Sequence, residues 1–300
     1  MKRLVLVYNP RSSRFFDVRR EVLNELYKLE GVIVGKYAVL NTNIEDNAQR
    51  LKRILREGDL VIAVGGDGTV SIAVNAIMQA RGVMSLGILP YGNFNDTVKN
   101  FGTQRLADLL EGKTVKVWPL EAIINDRHFR FAVSYFTMGL FAEACRVFDE
   151  KEIRKILQKK KKMASYSWLV LAKWYFRNRF KRVFLPRFKL NNKLQPTLIT
   201  DVVAMNGARM AGVMRGKGWL KAQKKFLMGE YKLKSFWRLS WMMMMSILGK
   251  VPGREVDKCV LEFIEEAELE IQAEGEYTRL KKVRKIEIRK ATKCLNIIKI

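Results

Sequence analysis

Asp59-Leu60-Val61-Ile62-Ala63-Val64-Gly65-Gly66-Asp67-Gly68-Thr69-Val70 is the stretch that decides the fold. Its apolar run is typical of a buried parallel strand, and the residues from Ser71 to Met78 continue as a helix. A glycine turn between a strand and a helix can bind a phosphate, because the backbone approaches closely and free N–H groups point at the ligand. A turn that uses glycine only for steric reasons is the alternative.

The turn carries one carboxylate, Asp67, which would repel a phosphate on its own. Its position makes chemical sense if it holds Mg²⁺ or handles a proton. The usual nucleotide fingerprints, G-x-x-x-x-G-K-[ST] and G-x-G-x-x-G, are both absent from this turn.

Polar loops follow three other predicted strands. The strand at Leu86–Leu89 precedes Pro90-Tyr91-Gly92-Asn93-Phe94-Asn95-Asp96, and the strand from Lys2 to Tyr8 precedes Asn9-Pro10-Arg11-Ser12-Ser13. A further strand at Tyr37–Leu40 ends before Asn41-Thr42. Ligands of open α/β sheets lie beyond the carboxyl ends of the strands, so we expect these loops to project from one edge. Asn95 is expected to bind a sugar or phosphate and Asp96 to hold a metal or orient the loop, while both also cap the next helix.

Three motifs in this order and spacing resemble the diacylglycerol kinase catalytic family, which includes sphingosine and ceramide kinases and is distantly related to NAD kinases. They are Asn9-Pro10, Gly65-Gly66-Asp67-Gly68-Thr69 and Pro90-x-Gly92-x-x-Asn95-Asp96. Further along the chain, Met138-Gly139-Leu140 and Glu274-Gly275-Glu276 resemble the motifs of the family's second domain.

The βα alternation predicts an α/β domain with a parallel sheet at residues 1–120. Runs at Phe129–Tyr135, Arg187–Leu190, Thr197–Met205, Lys258–Phe263 and Glu268–Ala273 predict a mostly antiparallel second domain at 121–292. The resemblance implies that this domain is a β-sandwich and that a last strand, at about residues 293–300, returns to the first domain. It also implies that the cleft between the domains binds ATP and lipid.

The resemblance implies an ATP-dependent and Mg²⁺-dependent lipid kinase, with diacylglycerol as the expected acceptor and phosphatidic acid as the product in phospholipid biosynthesis. A carboxylate must take the proton of the hydroxyl, and Glu276 is the preferred base, with Glu274 as the second candidate. Asp67 is either a base or the carboxylate that holds the Mg²⁺. The predicted nucleotide-binding residues are Asn9, Pro10, Arg11, Ser12, Ser13, Thr42, Gly65, Gly66, Asp67, Gly68, Thr69, Asn93, Asn95 and Asp96.

The sequence departs from the family pattern at three places. Glu274 stands where the family has Asp, and Asn93 stands where it commonly has Thr. The family's acidic Asp-Gly-x-Leu-Asp segment is matched by Lys217-Gly218-Trp219-Leu220-Lys221, which would remove a structural metal site. The basic side chains nearby are then expected to bind an anionic substrate or headgroup; they are Arg209, Arg215, Lys217, Lys221, Lys224 and Lys225.

The net charge of +26 indicates an anionic partner. A basic run, an aromatic-rich apolar stretch and a second basic run follow one another at Lys159–Lys162, Met163–Phe176 and Arg177–Arg182. The apolar stretch is too short to span a bilayer, and the pattern is typical of a segment that lies at the level of the lipid headgroups. A core helix with a solvated basic flank is an equally good interpretation. The methionine-rich run at residues 235–248 favours a buried helix on base rates, although methionine also adapts to acyl chains.

We therefore expect a cytoplasmic enzyme that is peripherally attached to anionic membrane, with no nucleic-acid partner. The three scattered cysteines fit a reducing compartment, and a homodimer stays open. A kinase for another lipid or for NAD is one alternative. A catalytically weak basic membrane-binding relative is another, although Asp67, Asp96, Glu274 and Glu276 together argue for catalysis.

Overall fold

The computed structural model describes residues 2–12, 14–26, 32–92, 97–101, 105–149, 184–195, 198–210, 214–215, 218–233 and 235–299. Four predicted site residues, Ser13, Asn93, Asn95 and Asp96, lie outside these ranges, as does the predicted membrane segment at 159–182.

A mainly parallel sheet forms the first part of the described chain, with strand order β2-β1-β3-β4-β18-β5. Only the β18–β5 pair is antiparallel within it. The strands are β1 (Lys2–Tyr8), β2 (Val32–Ala38), β3 (Leu60–Gly65), β4 (Ser85–Pro90), β5 (Lys113–Val117) and β18 (Leu295–Lys299). The helices are α1 (Phe15–Val18), which continues through a π-helical stretch (Arg19–Leu23) into α2 (Asn24–Leu26), then α3 (Ile44–Ile54), α4 (Asp67–Gln79), a 3₁₀ turn (Val98–Asn100) and α5 (Leu106–Glu111).

Helices cover both faces of this sheet, which explains why its central strand is apolar throughout. Every residue of β3 is buried. Val61 and Ala63 pack with helix α4, whereas Leu60, Ile62 and Val64 pack with α1, α2 and α5. Successive side chains of a strand point to opposite faces, so a strand between two helical layers needs apolar residues at each position.

The last strand, β18, lies in the first sheet between β4 and β5. Just before it, the Lys293 ammonium donates to the carbonyl oxygens of Ile77, Ala80 and Gly82 at 3.2, 3.0 and 3.0 Å. Ile77 lies in the last turn of α4, and Ala80 is its C-cap. A cation at a helix C-terminus satisfies the carbonyls that have no intrahelical partner and complements the helix dipole.

An antiparallel sheet forms the second part of the chain, as predicted. Its described strands follow the order β15-β14-β11-β8-β16-β17-β6-β7, and β9 and β10 branch from β16. The strands are β6 (Leu120–Ile124), β7 (Arg127–Ala132), β8 (Tyr135–Gly139), β9 (Phe188–Leu190), β10 (Lys193–Leu194), β11 (Asp201–Met205), β14 (Phe226–Tyr231), β15 (Arg254–Val256), β16 (Lys258–Ala273) and β17 (Glu276–Lys290), with a separate hairpin of β12 (Arg209–Met210) and β13 (Met214–Arg215). Its helices are α6 (Leu140–Asp149) and α7 (Phe236–Ile247).

Two strand predictions were wrong in detail. The runs at Lys258–Phe263 and Glu268–Ala273 form one strand, β16, because irregularities between Glu262 and Leu269 absorb the acidic stretch without ending the pairing with β17. The run at Phe129–Tyr135 forms two strands, β7 and β8, because the chain bends between them at Val133 and Ser134.

Asp201 is a buried carboxyl group in the core of the second sheet. Its Oδ1 accepts a hydrogen bond of 2.7 Å from the backbone N–H of Phe141 in the first turn of α6, while Oδ2 has no hydrogen-bond partner among the described residues. Burial raises the pKa of Asp201 to about 7. The folded protein therefore binds this proton more tightly than the unfolded chain does.

We predict that Asp201 lowers stability as pH rises. Its stabilising contribution is full below about pH 4, the ordinary pKa of Asp, and is lost as pH rises to about 7. Relative to Asp201→Asn, the free energy of unfolding of the wild type should fall by up to ~1.4 kcal/mol per pH unit in this window. Urea unfolding at several pH values measures the difference, with the exposed Asp257→Asn as the control. Parallel curves for wild type and Asp201→Asn would contradict the assignment.

Candidate active site at the interface of the two sheets

The loops that follow β1, β2, β3 and β4 open at one edge of the first sheet, because these strands are all parallel. The backbone N–H of Tyr91 donates to the Gly65 carbonyl at 3.1 Å and so ties the loop after β4 to the loop after β3. A Cβ atom added at Gly66 would lie 3.1 Å from the Gly92 Cα. At Gly66 and Gly92 the two glycine loops therefore approach each other backbone to backbone.

Helix α4 begins at Asp67, with Gly66 as its N-cap residue. The first N–H groups of a helix have no intrahelical acceptor and carry the positive end of its dipole. This helix start lies next to the close approach of Gly66 and Gly92. Its N–H groups and the positive end of its dipole suit the binding of a phosphate group. It lies at the edge where the glycine-rich motif predicted it.

Thr97 fixes the Asp67 side chain. Its backbone N–H donates to Asp67 Oδ1 at 3.2 Å, across the gap between the two glycine loops. Thr97 has no solvent exposure. Asp67 is therefore oriented by a buried residue that comes directly after the predicted Asn95-Asp96 motif.

A two-residue turn brings the second sheet to this site. Ala273 pairs with Glu276 at the tip of the β16–β17 hairpin, which leaves Glu274 and Gly275 as the loop. Their φ angles are +51° and +83°. Positive φ at both central residues is typical of the type I′ turn that tight hairpins prefer.

The Glu274 carboxylate connects the two sheets. Its Oε2 accepts a hydrogen bond of 2.9 Å from the Thr97 hydroxyl, and its Oε1 accepts one from the backbone N–H of Ser134. Glu274 is only 2% exposed. This candidate base is thus buried in hydrogen bonds that join the start of the 3₁₀ turn to the bend between β7 and β8.

The Glu276 carboxylate lies directly against the glycine loop. A Cβ atom added at Gly68 would be 3.0 Å from Glu276 Cδ and closer still to Oε1, and its three nearest atoms among the described residues would all belong to Glu276. Glu276 is partly exposed, whereas Glu274 is buried. Of the two acids, Glu276 is therefore the one that a substrate at the start of α4 would meet.

The remaining described residues of the predicted nucleotide site differ in exposure. Asn9 shapes its own loop, because its Oδ1 accepts a hydrogen bond of 2.9 Å from the Arg11 N–H. Pro10, Arg11 and Thr42 are exposed, and Ser12 is partly exposed. Thr69 is buried in the first turn of α4, where it packs against Gly65. Their roles in nucleotide binding stay predictions.

Two contacts at this interface were not predicted. The Asn75 side chain on α4 donates to the Phe131 carbonyl at 3.0 Å and accepts from its N–H at 2.8 Å. The Arg130 guanidinium, 3% exposed, donates to Glu45 on α3 at 2.8 Å. The only signal in the sequence is an Asn in the middle of an apolar helix, which has to find a partner when it is buried.

The segment that departs from the family's acidic pattern is held by a lysine. The Lys290 ammonium donates to the carbonyls of Trp118 and Trp219 at 2.9 and 2.8 Å, and to Asn206 Oδ1. Burial lowers the pKa of Lys290 to about 7. Among the described residues, no group of three or more His, Cys, Asp or Glu side chains could hold a metal ion. Lys217 itself lies outside the described ranges.

Comparison with known proteins supports the resemblance to the diacylglycerol kinase catalytic family. Residues 3–128 match the family model for the diacylglycerol kinase catalytic domain, which confirms the predicted resemblance over that region. The chain is 33% identical over 117 residues to a diacylglycerol kinase of Bacillus subtilis (strain 168), an alignment that covers 38% of either chain. It is also 33% identical over 122 residues to a diacylglycerol kinase of Staphylococcus aureus (strain bovine RF122 / ET3-1), covering 39% of this chain and 38% of the relative.

The fold extends beyond the region of sequence similarity. A crystal structure of a diacylglycerol kinase from Bacillus anthracis str. Sterne superposes with a TM-score of 0.65 at 17% identity, covering 100% of this chain and 97% of that one. The predicted two-part architecture, a parallel α/β region followed by an antiparallel region, is thereby confirmed in the part of the chain that the structure describes. The sequence alignments, by contrast, span just over a third of the curated relatives.

Proposed function

We propose that this protein is an ATP-dependent lipid kinase that transfers the γ-phosphoryl group of ATP to a lipid hydroxyl, with diacylglycerol as the acceptor. The contact of the Glu276 carboxylate with Gly68 carries the proposal, because it brings a proton acceptor to a helix start that suits a phosphate. The catalytic-domain match over residues 3–128 and the names of the curated relatives support the same reaction.

ATP would bind with its phosphates against the loop from Gly65 to Thr69 and the free N–H groups of α4. A side chain at Gly66 would approach the opposite loop at 3.1 Å, so the cradle is kept open by glycine. Asp67 is the described carboxylate placed to hold Mg²⁺ with the nucleotide, and Thr97 fixes one of its oxygens. Bound Mg²⁺ would offset the charge of the phosphates.

Glu276 would act as the general base. An alcohol is a poor nucleophile, so the hydroxyl proton moves to the carboxylate as the lipid oxygen bonds to the γ-phosphorus and the bond to the ADP oxygen breaks. Glu274 is held by Thr97 and Ser134, so it would position the turn that presents Glu276. Glu276 is therefore preferred over Glu274 as the general base.

The substrate requires a membrane surface, and we propose peripheral attachment at the cytoplasmic side. None of the described helices has the length and hydropathy to cross a bilayer. The charge of +26 favours anionic lipid. The segment Lys159–Arg182, which the sequence analysis predicts at the headgroup level, lies outside the described residues.

Transfer of label from radioactive ATP tests the proposal. The acceptors are diacylglycerol, sphingosine, ceramide and NAD, with no acceptor as the blank. Label in phosphatidic acid, dependent on Mg²⁺, is the expected result. Label in another lipid alone would move the acceptor, label in NADP would make the protein an NAD kinase, and no transfer would leave a non-catalytic membrane-binding protein.

Asp67→Asn should lower turnover by ~10²-fold or more, because a preorganised charge or metal ligand is lost. The fold should persist, since the amide oxygen can still accept the Thr97 N–H. Steady-state kinetics with thermal unfolding measures both effects. Turnover close to that of the wild type would rule out a role for Asp67 in the reaction.

Glu276→Gln should lower turnover by ~10²–10⁴-fold with little change in ATP affinity, as expected on removal of a general base. Glu274→Gln should have a smaller effect on turnover and a larger one on stability, because that side chain is buried in hydrogen bonds. Glu268→Gln, an exposed acid on the same hairpin, is the matched control. The reverse ranking in turnover would make Glu274 the base, and no effect from either would remove the motif from catalysis.

A further inference from the structure

Helix α7 (Phe236–Ile247) has well-defined ends. At its start, the Ser235 hydroxyl accepts a hydrogen bond from the Arg238 N–H at 3.4 Å. At its end, Gly249 has a φ of +74° and the Lys250 N–H donates to the Met245 carbonyl at 2.8 Å. These bonds match an N-cap and a Schellman C-cap, so the helix is fixed in length and direction.

One face of α7 belongs to the protein core. Leu239 and Met242 are 8% and 1% exposed, and they pack in a cluster with Tyr135, Tyr231 and other residues of the second sheet. This face anchors the helix. It accounts for only part of the apolar side chains that the helix carries.

The opposite face of α7 is apolar and exposed. Trp237, Trp241, Met244 and Leu248 are 81%, 52%, 52% and 62% exposed. Their spacings of four, three and four residues place them in one stripe along the helix, on the side away from Leu239 and Met242. A stripe of large apolar side chains of this kind is typical of an interaction surface.

The surroundings of the stripe are basic. No Asp or Glu occurs from Tyr231 to Gly253. Lys232, Arg238 and Lys250 in this interval are exposed. An apolar stripe with two tryptophans, in a segment whose only charged residues are cationic, complements the headgroup region of an anionic bilayer, where indole rings and lysines are both favoured.

Tyr135 on β8 lies between helix α7 and the hairpin that carries the candidate base. Tyr135 is in the same cluster as Leu239 and Met242. Its hydroxyl accepts a hydrogen bond from Gln272 Nε2 at 3.2 Å, and it is the nearest group to a Cβ built at Gly275, at 4.0 Å. The buried face of α7 and the Glu274–Glu276 turn are therefore connected through Tyr135.

We propose that the stripe of Trp237, Trp241, Met244 and Leu248 docks this protein on the surface of an anionic lipid bilayer, with α7 lying in the headgroup plane. This inference rests on the proposed function for its biological purpose, since a lipid kinase must meet its substrate at a membrane. The docking itself does not require catalysis. It assigns the contact to α7 rather than to residues 159–182.

Vesicle cosedimentation without ATP tests the proposal. The vesicles contain phosphatidylcholine with or without an equal part of phosphatidylglycerol. The wild type should bind the anionic vesicles, bind the neutral ones weakly and lose affinity with added salt. The double variant Trp237→Gln/Trp241→Gln should lower the partition coefficient on the order of tenfold or more, because two large apolar side chains no longer enter the interface.

A matched control changes two exposed aliphatic residues outside α7. Leu194→Gln/Ile264→Gln, at residues that are 64% and 55% exposed, should bind vesicles as the wild type does. Arg238→Gln/Lys250→Gln should weaken binding to anionic vesicles only. Circular dichroism on each variant verifies the fold, and Met244→Gln/Leu248→Gln repeats the test if the tryptophan variant does not fold.

If the stripe variants bound anionic vesicles as strongly as the wild type does, the proposal would be overturned. The same holds if replacing Lys159–Lys162 with Gln abolished vesicle binding while the stripe variants still bound. A stripe variant that turns a dimer into a monomer in sedimentation velocity, with vesicle binding unchanged, would also overturn it and assign the stripe to a second copy of the chain. Turnover on a short-chain diacylglycerol in detergent separates the two claims. A protein that binds vesicles through the stripe but does not phosphorylate the lipid would contradict the proposed kinase activity. A protein that phosphorylates the lipid but binds vesicles independently of the stripe would contradict the proposed role of α7.

Discussion

The site depends on one buried carboxylate, Glu274, which accepts hydrogen bonds from Thr97 on the first sheet's side and from Ser134 on the second. A carboxylate that is 2% exposed has to be satisfied by hydrogen bonds, since burying it unpaired would be strongly unfavourable. The two partners are separated by many residues of sequence and meet only when both sheets are in place. The turn is therefore held at the phosphate-binding edge.

The neighbouring contacts follow from this one. Thr97 also donates to Asp67, so the same residue orients the candidate metal ligand and the Glu274 carboxylate. The hairpin turn then leaves Glu276 against Gly68. A second connection, the pair of hydrogen bonds between Asn75 and the backbone of Phe131, joins α4 to β7.

Much of this arrangement could be predicted from the sequence, because the decisive signals are local. The apolar run before Gly65 and the glycine turn after it predict a strand, a glycine loop and the start of a helix within a dozen residues, and the structure confirms that order. The roles of Thr97 and Ser134 could not be predicted, because they depend on contacts with Glu274 across 177 and 140 residues. Local patterns carry no information about such pairs.

Composition was equally unable to divide the apolar residues of α7 between two faces. A methionine-rich helix is consistent with burial, and Leu239 and Met242 of this one are buried. Which side remains exposed is decided by the sheet against which Leu239 and Met242 pack. The long strand β16 illustrates the same limit, since its acidic middle is tolerated only because β17 continues the pairing.

The account is tested most directly by perturbing the contact between the Glu276 carboxylate and Gly68 of the glycine loop. Gly68→Ala places a methyl group whose three nearest atoms would all belong to the Glu276 side chain. In the wild type this flexible side chain has to move aside, so we expect Gly68→Ala to change the free energy of unfolding less favourably there than in a Glu276→Ala background. In the Glu276→Ala background, Gly68→Ala should raise the free energy of unfolding by up to ~1 kcal/mol, because alanine is the better helix former. The same effect of Gly68→Ala in both backgrounds would show that Glu276 does not lie on the loop, and would contradict the proposed site.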